Sequence, residues 1–564
     1  MMARLRTRVA WGEWRRPLTI ALLAAVLYAS LVGWGVPHAT APDRIKTTAT
    51  DEILPLEGLA EMRSTFISAA PDRNLGYPWL HYAVVSAAQA PYLAWLIATG
   101  GMSAPAAEYP YGLKDPVTAL KALTVLGRLA SVLMAAGAVV AAFAFTASLW
   151  GRTAATWAAL LAALSYPAVY YSRTGNLDMP AYFWSAAAIA VIGRTFSGGL
   201  TTSRAVWLGI FSAAAVATKD QMLILFVPLL AGLALPQWHR PTGTGYPVRP
   251  LLTLVASGLV AYAVATGMLV DPGRHVAHLQ KMIFTPQAVS VSLAYMPAAP
   301  NTWTGLWSLV TGFVQGLLAM MSPPVLVLAV AGLALAIRAD RRHLVWVAAL
   351  LLHFVVLVRG IGGVEQRYLL PFTIAIDAFA ALCLLRMSAW RREVALALFA
   401  VCIAWRGAVA ADLTWAQWRD SRLPAADFLR KVYAPGDRIE YFGVTEALPP
   451  LDADMVSRRI MGREQWAGTF GHGPAVLDYL RREGPRFIVI VPDWSSGRTT
   501  EYSGDCPPEV FEALTNGSVG YRLAAHFTTP SLLPGVLARP RLDYQTVAPP
   551  IRIFVRDAQP AGSR

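Results

Sequence analysis

The sequence has few charged residues and almost no cysteine. Only 15% of its 564 residues are charged, whereas 55% are hydrophobic, and the mean hydropathy is +0.45. No soluble core needs so much apolar surface, so the composition predicts a polytopic membrane protein. Two of the three cysteines lie in apolar runs and Cys506 stands alone in the polar tail, which excludes a disulfide framework and a zinc-binding pattern.

Three catalytic motifs are also missing. The sequence has no GxxxxGK[ST] phosphate loop, no HExxH pattern and no GxSxG turn, which argues against an ATP-driven pump, a zinc protease and a serine hydrolase. The net charge of +14 forms no continuous basic stretch, because the basic residues fall in short clusters between apolar runs. Such clusters are typical of membrane topology and not of nucleic-acid binding.

Eleven apolar runs are predicted to span the membrane. The first follows five arginines and is expected to be an uncleaved span, not a signal peptide. The predicted spans are 17–36, 122–149, 153–171, 179–193, 205–218, 221–236, 251–270, 323–337, 344–358, 368–385 and 393–411. Arginine clusters occur in every second connection and are expected to be cytoplasmic, at Arg4 to Arg16, Arg152, Arg194 with Arg204, Arg240 with Arg249, Arg338 to Arg342, and Arg386 to Arg392.

Two aromatic-rich stretches are predicted to lie at the outer surface. These are 77–101, as an interfacial helix or a re-entrant pair, and 301–320. The alternation then places on one outer face the first loop 37–121, the turns at Asp178 and Lys219, the loop 271–320, the segment 359–367 and everything after residue 411. After that residue, two segments each combine an amphipathic helix, a turn with glycine and a β-rich run. We therefore expect an all-α transmembrane domain, 1–411, and a small extracytoplasmic α/β domain, 412–564.

Charged residues that the topology rule does not explain gather on this outer face. They are Asp51 with Glu52, Arg173 with Asp178, and Lys219 with Asp220. A carboxylate such as Asp51 is suited to act as a general base on a hydroxyl or an amine. Lys219, Arg173 or Arg128 could hold a phosphate leaving group and neutralise its growing charge. Glu52 is expected to position the acceptor or to bind a divalent metal.

Each of these residues also has a purely structural explanation. Asp178 precedes Met-Pro and could cap a helix, and Lys219 could extend to lipid headgroups. Arg367 could be an interfacial anchor, His81 a histidine of the interface, and Asp377 the partner in an interhelical hydrogen bond within the membrane.

In their order along the chain, the sequence fragments resemble the GT-C glycosyltransferases of the protein O-mannosyltransferase and aminoarabinose transferase type. That family uses a sugar carried on a polyprenyl or dolichyl phosphate. The matching segments are the pair Asp51-Glu52, YPWLHY (77–82), GRLASVLMAAGAVV…FTASLWGR (127–152), YPAVYYSRTGNLDMPAYF (166–183), ATKDQMLILFVPLL (217–230) and RYLLPF (367–372).

The resemblance implies an active site on the outer face, juxtamembrane helices in the first loop, inversion at the anomeric carbon and release of polyprenyl phosphate. It implies that Asp51 is the catalytic base, that Asp178 is a second catalytic aspartate, and that Lys219 and Arg128 contact substrate. Within or beside the matching segments, the further candidates for substrate binding are Arg173, His81, Tyr82 and Arg367. The expected partners are a polyprenyl-phosphate-linked sugar as donor and a lipid, glycan or protein as acceptor, at a bacterial inner or plasma membrane with the N-terminus in the cytoplasm.

Two features depart from the family pattern. An insert at 100–116 brings Lys114 and Asp115, which could compete for a role. His275, His278 and His353 are candidate metal ligands without a motif, so no cofactor is certain and a divalent metal stays open. The alternative functions are a transporter or flippase of an anionic lipid or solute, and a binding module anchored by the spans. The sequence has no visible internal repeat and more spans than an anchor needs, which favours the transferase.

Overall fold

The structure, a computed structural model, describes most of the chain. The described residues are 2–38, 47–49, 51–64, 77–106, 108–235, 247–284, 299–361, 363–364, 366–452, 454–460, 473–492, 506–534 and 546–557. Arg240 and the end of the predicted span 221–236 lie outside them. The chain divides into two compact units, of which unit 1 comprises Met1–Val32, Asp51–Ala94 and Val125–Ala410, and unit 2 comprises Gly33–Thr50, Trp95–Thr124 and Ala411–Arg564.

Helices make up most of the described chain. In order they are α1 Met2–Ala29, α2 Glu57–Arg63, α3 Leu80–Ala98, α4 Pro116–Ala163, α5 Tyr166–Tyr171, α6 Asp178–Gly198, α7 Thr202–Val216, α8 Met222–Leu233, α9 Val248–Ala265, α10 Pro272–Phe284, α11 Trp303–Met321, α12 Pro323–Ala339, α13 Leu344–His353, α14 Arg359–Ile361, α15 Thr373–Ser388, α16 Arg392–Trp418, α17 Arg422–Val432, α18 Gly473–Glu483 and α19 Pro508–Thr515. Short 3-10 helices occupy Arg341–His343, Gln366–Phe372 and Thr445–Ala447, and Phe354–Val358 is π-helical.

Six helical segments within the described ranges are long and apolar enough to cross a membrane. They are Pro116–Ala163, Val248–Ala265, Trp303–Met321, Arg341–Val358, Gln366–Ser388 and Arg392–Val432, and the shorter helices α7, α8 and α12 are also apolar. The protein is therefore an integral, multi-pass membrane protein, as its composition predicts. Helix α11 is one of the six, so its length and composition do not single it out as a surface segment, and the placement of 301–320 stays a prediction. Segment 77–101 forms one helix, α3, and not a re-entrant pair.

One predicted span, 153–171, is not a single helix. Helix α4 is interrupted at Gly151, whose φ of 84° and ψ of 178° are readily adopted only by glycine, and its second part ends at Ala163. The short helix α5 then begins at Tyr166 with Pro167 in its first turn, where the missing N–H costs nothing. After α5, which ends at Tyr171, a polar turn leads to α6.

A buried ion pair joins α15 to α16. Arg406 donates from Nη2 to Oδ1 of Asp377 at 2.7 Å and from Nη1 to Oδ2 at 3.0 Å, and both side chains are buried. The same guanidinium also donates to the carbonyl oxygens of Leu161 and Met321, which lie near the C-terminal ends of α4 and α11. Helix ends leave carbonyls without intrahelical partners, so Arg406 satisfies groups that lipid could not. Asp377 is thus the partner in an interhelical hydrogen bond, which is the structural explanation given for it from the sequence.

Unit 2 contains a five-stranded sheet in the order β2-β1-β3-β5-β4. The strands are β1 Arg438–Phe442, β2 Val456–Arg459, β3 Phe487–Ile490, β4 Tyr521–Phe527 and β5 Ile551–Arg556. Strand β1 pairs in parallel with β2 and β3, whereas β5 runs antiparallel to β3 and β4. Both predicted pairs of helix and strand form, as α17 with β1 and as α18 with β3.

Candidate active site

The acidic pair begins the described part of the first loop in unit 1. Asp51 has a φ of +55°, in the left-handed region that non-glycine residues seldom adopt. Such conformations persist where surrounding contacts impose them and cluster at functional sites. The side chains of the two neighbouring acids have different partners, Arg367 for Asp51 and Arg128 for Glu52.

Glu52 and Arg128 form a fully buried, two-pronged ion pair. Arg128 Nε donates to Oε1 of Glu52 at 2.6 Å, and Nη2 donates to Oε2 at 2.7 Å. The backbone N–H of Gly175 also donates to Oε1, at 2.6 Å. A Cβ at position 175 would stand 2.9 Å from this oxygen, so the contact requires glycine. The pair therefore fixes the first loop against α4 and against the turn before α6; we call it the Glu52–Arg128 clamp.

The contacts of Glu52 do not suit a metal ligand. Its two carboxylate oxygens face a guanidinium cation, and one of them also accepts a backbone N–H. Within the described ranges, no group of three or more His, Cys, Asp and Glu side chains could hold a metal ion. His278 instead contacts Asp220 at 3.1 Å, and the ring of His353 lies beside those of Phe313 and Phe372.

Asp51 forms an ion pair with Arg367. The Asp51 side chain is 41% exposed and that of Arg367 is 19% exposed, so solvent can reach the carboxylate. Partial burial raises the pKa of Asp51, but the positive charges of Arg367 and Lys219 together outweigh burial and hold this pKa below its usual value. Asp51 is therefore ionised at neutral pH, as a general base must be. The ion pair also argues against Arg367 as a mere interfacial anchor.

Asp178 and Lys219 form a second, buried ion pair. Lys219 Nζ lies 2.5 Å from Oδ1 of Asp178, and both side chains are almost entirely buried. Asp178 is the first residue of α6 and is not its N-cap, a position that Leu177 occupies. Lys219 lies in the turn between α7 and α8 and is too buried to extend to lipid headgroups. These contacts replace the two structural explanations predicted for this pair.

The two ion pairs belong to one cluster. Electrostatic interactions connect Lys219 with Asp51 and Arg367 as well as with Asp178. The ring of Tyr368 lies under both cations, 4.8 Å from Lys219 Nζ and 5.6 Å from the Arg367 guanidinium carbon. Unit 1 thus brings two carboxylates and two cations together from four separate parts of the chain. We call Asp51, Asp178, Lys219 and Arg367 the charge cluster.

Two tyrosines of the cluster's surroundings are absent from the sequence-based candidates. Tyr77 is half-buried, and its burial together with the negative charges of Asp51 and Asp178 raises its pKa, while Tyr368 is nearly buried beneath the cations. Both stand in segments that carry the family resemblance, YPWLHY and RYLLPF. Their position in those motifs could have marked them as candidates, but the sequence alone does not reveal which side chain of a motif faces the two aspartates.

Four other predicted binding residues are buried inside the protein. Arg128 donates to the carbonyl of Val32 in addition to Glu52, and Arg173 Nη2 donates to the carbonyl of Leu27 at 3.0 Å, near the end of α1. Both arginines are completely buried. His81 is also buried, and Tyr82 packs with Ile53, Val85 and Leu177. Arg128, Arg173 and Tyr82 thus contact the loop and helix ends around the cluster.

Lys114 and Asp115 lie in unit 2. Both are exposed, and Asp115 accepts the backbone N–H of Thr118 at 3.2 Å, in the first turn of α4. A helix-capping role accounts for Asp115.

No protein-family model matches the chain, and no curated protein matches it. Several solved structures are similar to the chain. ArnT from Cupriavidus metallidurans in the apo state is similar with a TM-score of 0.50 and 13% identity, covering 97% of this chain and 98% of ArnT. The same ArnT bound to undecaprenyl phosphate matches with a TM-score of 0.43 and 14% identity over 97% and 99%. The oligosaccharyltransferase from Archaeoglobus fulgidus, in complex with Zn and sulfate, matches with a TM-score of 0.41 and 11% identity over 96% and 88%. The chain therefore has the same fold as ArnT.

Proposed function

We propose that this protein is a membrane glycosyltransferase that moves a sugar from a polyprenyl-phosphate donor to a hydroxyl or an amine on the extracytoplasmic face. The observation that carries the proposal is the charge cluster, in which an accessible, ionised Asp51 lies beside two cations suited to a phosphate. The shared fold adds support, because ArnT has also been solved with undecaprenyl phosphate bound.

In the proposed reaction, Asp51 takes the proton of the acceptor hydroxyl or amine. The acceptor atom forms a bond to the anomeric carbon from the side opposite the phosphate, so the configuration inverts. The bond between that carbon and the phosphate oxygen breaks, and its electron pair leaves with polyprenyl phosphate. Lys219 and Arg367 stabilise the charge that grows on this leaving group.

Charge balance gives Arg367 a specific part in this step. Before reaction, the two cations of the charge cluster are matched by two carboxylates, Asp178 and Asp51. When Asp51 takes up the proton, its negative charge disappears while the phosphate gains one. Arg367 can then leave the neutral Asp51 for the phosphate, so proton uptake and leaving-group stabilisation are coupled.

The remaining predicted residues take supporting roles in this proposal. Asp178 holds Lys219 charged and in place, and Glu52 with Arg128 fixes the loop that presents Asp51. Arg173, His81 and Tyr82 support the helix ends around the cluster. The N-terminus is cytoplasmic, and residues 412–564 form the extracytoplasmic domain. None of these contacts favours the transporter alternative.

The proposal is tested by the product that the protein makes. Envelope lipids, glycans and proteins from a deletion strain are compared by mass spectrometry with those from strains complemented by wild-type protein, by Lys219→Met, or by the surface control Lys431→Met. One modification should be lost on deletion, return with the wild type and the control, and stay absent with Lys219→Met. Restoration by Lys219→Met to the wild-type level contradicts the proposal.

A further inference from the structure

Tyr368 provides an aromatic face that two cations share. It lies in the 3-10 helix Gln366–Phe372, directly after Arg367, and only 8% of its surface is exposed. Lys219 Nζ is 4.8 Å from its ring centroid, and the Arg367 guanidinium is 5.6 Å away. Both distances fall within the range of about 6 Å for cation–π attraction. Two chain segments about 150 residues apart thus place their positive groups on one ring.

The two cations do not come together without a cost. Burial lowers the pKa of Lys219, and the nearby charge of Arg367 lowers it further, although Asp178 and Asp51 oppose this. A carboxylate that offsets the repulsion also cancels the positive charge that a phosphate needs. The face of an aromatic ring attracts a cation through its quadrupole and carries no net charge. Tyr368 can therefore attract both cations without adding a further negative charge to the two carboxylates that already pair with them.

The segment that carries the ring lies against helix α11. Gly312 and Gly316 of α11, one turn apart, face the residues before Tyr368. A Cβ at Gly316 would lie 3.4 Å from Val364 and 3.6 Å from Gln366, which is ordinary van der Waals contact. The chain just before Tyr368 therefore has a helix as its packing partner.

We propose that Tyr368 is a positioning residue whose aromatic face, and not its hydroxyl group, holds Lys219 and Arg367 side by side as the cationic part of the donor-phosphate site. The proposal rests on the proposed function and adds to it the group that assembles the phosphate site.

The test separates the ring from the hydroxyl group. Purified Tyr368→Phe and Tyr368→Leu proteins are compared with wild type for the Kd of polyprenyl phosphate in nanodiscs. Tyr368→Phe should bind within about 3-fold of wild type, whereas Tyr368→Leu should bind about 10-fold more weakly, since roughly 1.4 kcal/mol of cation–π attraction corresponds to a factor of ten. If Tyr368→Phe loses as much affinity as Tyr368→Leu, the hydroxyl group is the working part and the proposal is wrong.

A fluorinated series covers the case in which Tyr368→Leu does not fold. Phenylalanine carrying one, two or three ring fluorines is introduced at position 368 by nonsense suppression, which weakens the negative face of the ring at nearly constant shape. The Kd should rise stepwise with each fluorine. A flat series overturns the role of the ring and leaves the proposed function standing, whereas a folded wild type that binds no polyprenyl phosphate overturns the function.

Discussion

The Glu52–Arg128 clamp gives the most quantitative prediction. In Glu52→Gln the backbone bond from Gly175 is preserved, but the amide presents N–H groups to the guanidinium of Arg128. Arg128 then keeps a positive charge at a site with 0% exposure, opposite a group that donates. Removing one partner of a buried ion pair costs about 3–5 kcal/mol. Arg128→Met should cost a similar amount, because it leaves the Glu52 carboxylate buried without its cation.

The double variant distinguishes a true pair from two independent effects. Replacing both charged groups removes the unpaired charge, so the double variant should lose less stability than the sum of the single variants, with a coupling on the order of 3 kcal/mol. The free energy of unfolding is measured by graded SDS denaturation of the protein in mixed micelles.

The matched control is an exposed pair of a carboxylate and an arginine. Asp478 and Arg482 lie one turn apart on α18 and are 61% and 75% exposed, so their coupling should be about 0.5 kcal/mol or less. Single losses under about 1 kcal/mol for Glu52 and Arg128, or strictly additive losses, would refute the clamp. A double variant that is stable but inactive would indicate that Glu52 or Arg128 takes a direct part in catalysis.

Three further predictions concern the cluster and its support. Because Arg367 lowers the pKa of Asp51, the midpoint of the acidic limb in the pH profile of kcat/KM should lie below the usual pKa of an aspartate. Arg367→Gln should move this midpoint to higher pH. An unchanged midpoint contradicts the assignment of Asp51 as the titrating base. Lys219→Met should raise the Kd of polyprenyl phosphate by about 10-fold or more, since a charge-assisted contact is lost, and an unchanged Kd removes Lys219 from the phosphate site. Arg406→Leu should lower the free energy of unfolding by about 3 kcal/mol or more because Asp377 stays buried and unpaired, and a loss below about 1 kcal/mol would show that the ion pair is unimportant.

The sequence singled out the residues proposed here for the chemistry, but not their ion-pair partners. Asp51 and Lys219 could be identified because a charge at the outer end of a span needs an explanation that topology does not provide. Their partnership with Arg367 and Asp178 depends on helix packing over long sequence separations, and a single sequence holds no signal for it. The position of the Tyr368 ring beneath both cations could not be predicted either, because it depends on the same long-range packing.

Buried arginines were the main source of ambiguity. Arg128 and Arg173 stand in segments that match the family, and an arginine suits a phosphate as well as it suits the exposed carbonyls at the end of a helix. In the structure they donate to carbonyls near the end of α1, and Arg128 also pairs with Glu52. Residue type and topology do not show whether such an arginine binds a phosphate or the carbonyls at a helix end. The three-dimensional position of the end of α1 decides this.

One helix boundary was predicted and a second was missed. The break at Gly151 falls between the predicted spans 122–149 and 153–171, whereas the helix start at Tyr166 and Pro167 lies inside the predicted span 153–171. Hydropathy alone did not reveal that the helix before Pro167 ends at Ala163, because the residues on both sides of the break are apolar.

The central claim is that Asp51 is the general base of a sugar transfer from polyprenyl phosphate. Its most direct test compares purified wild-type, Asp51→Asn and the surface control Asp478→Asn for release of polyprenyl phosphate from a sugar-loaded donor and for the Kd of polyprenyl phosphate. Asp51→Asn should lose turnover by about 100-fold or more, the usual contribution of a general base. Its affinity should be equal or tighter, because Arg367 no longer has a competing carboxylate. Turnover by Asp51→Asn at the wild-type rate would contradict the account.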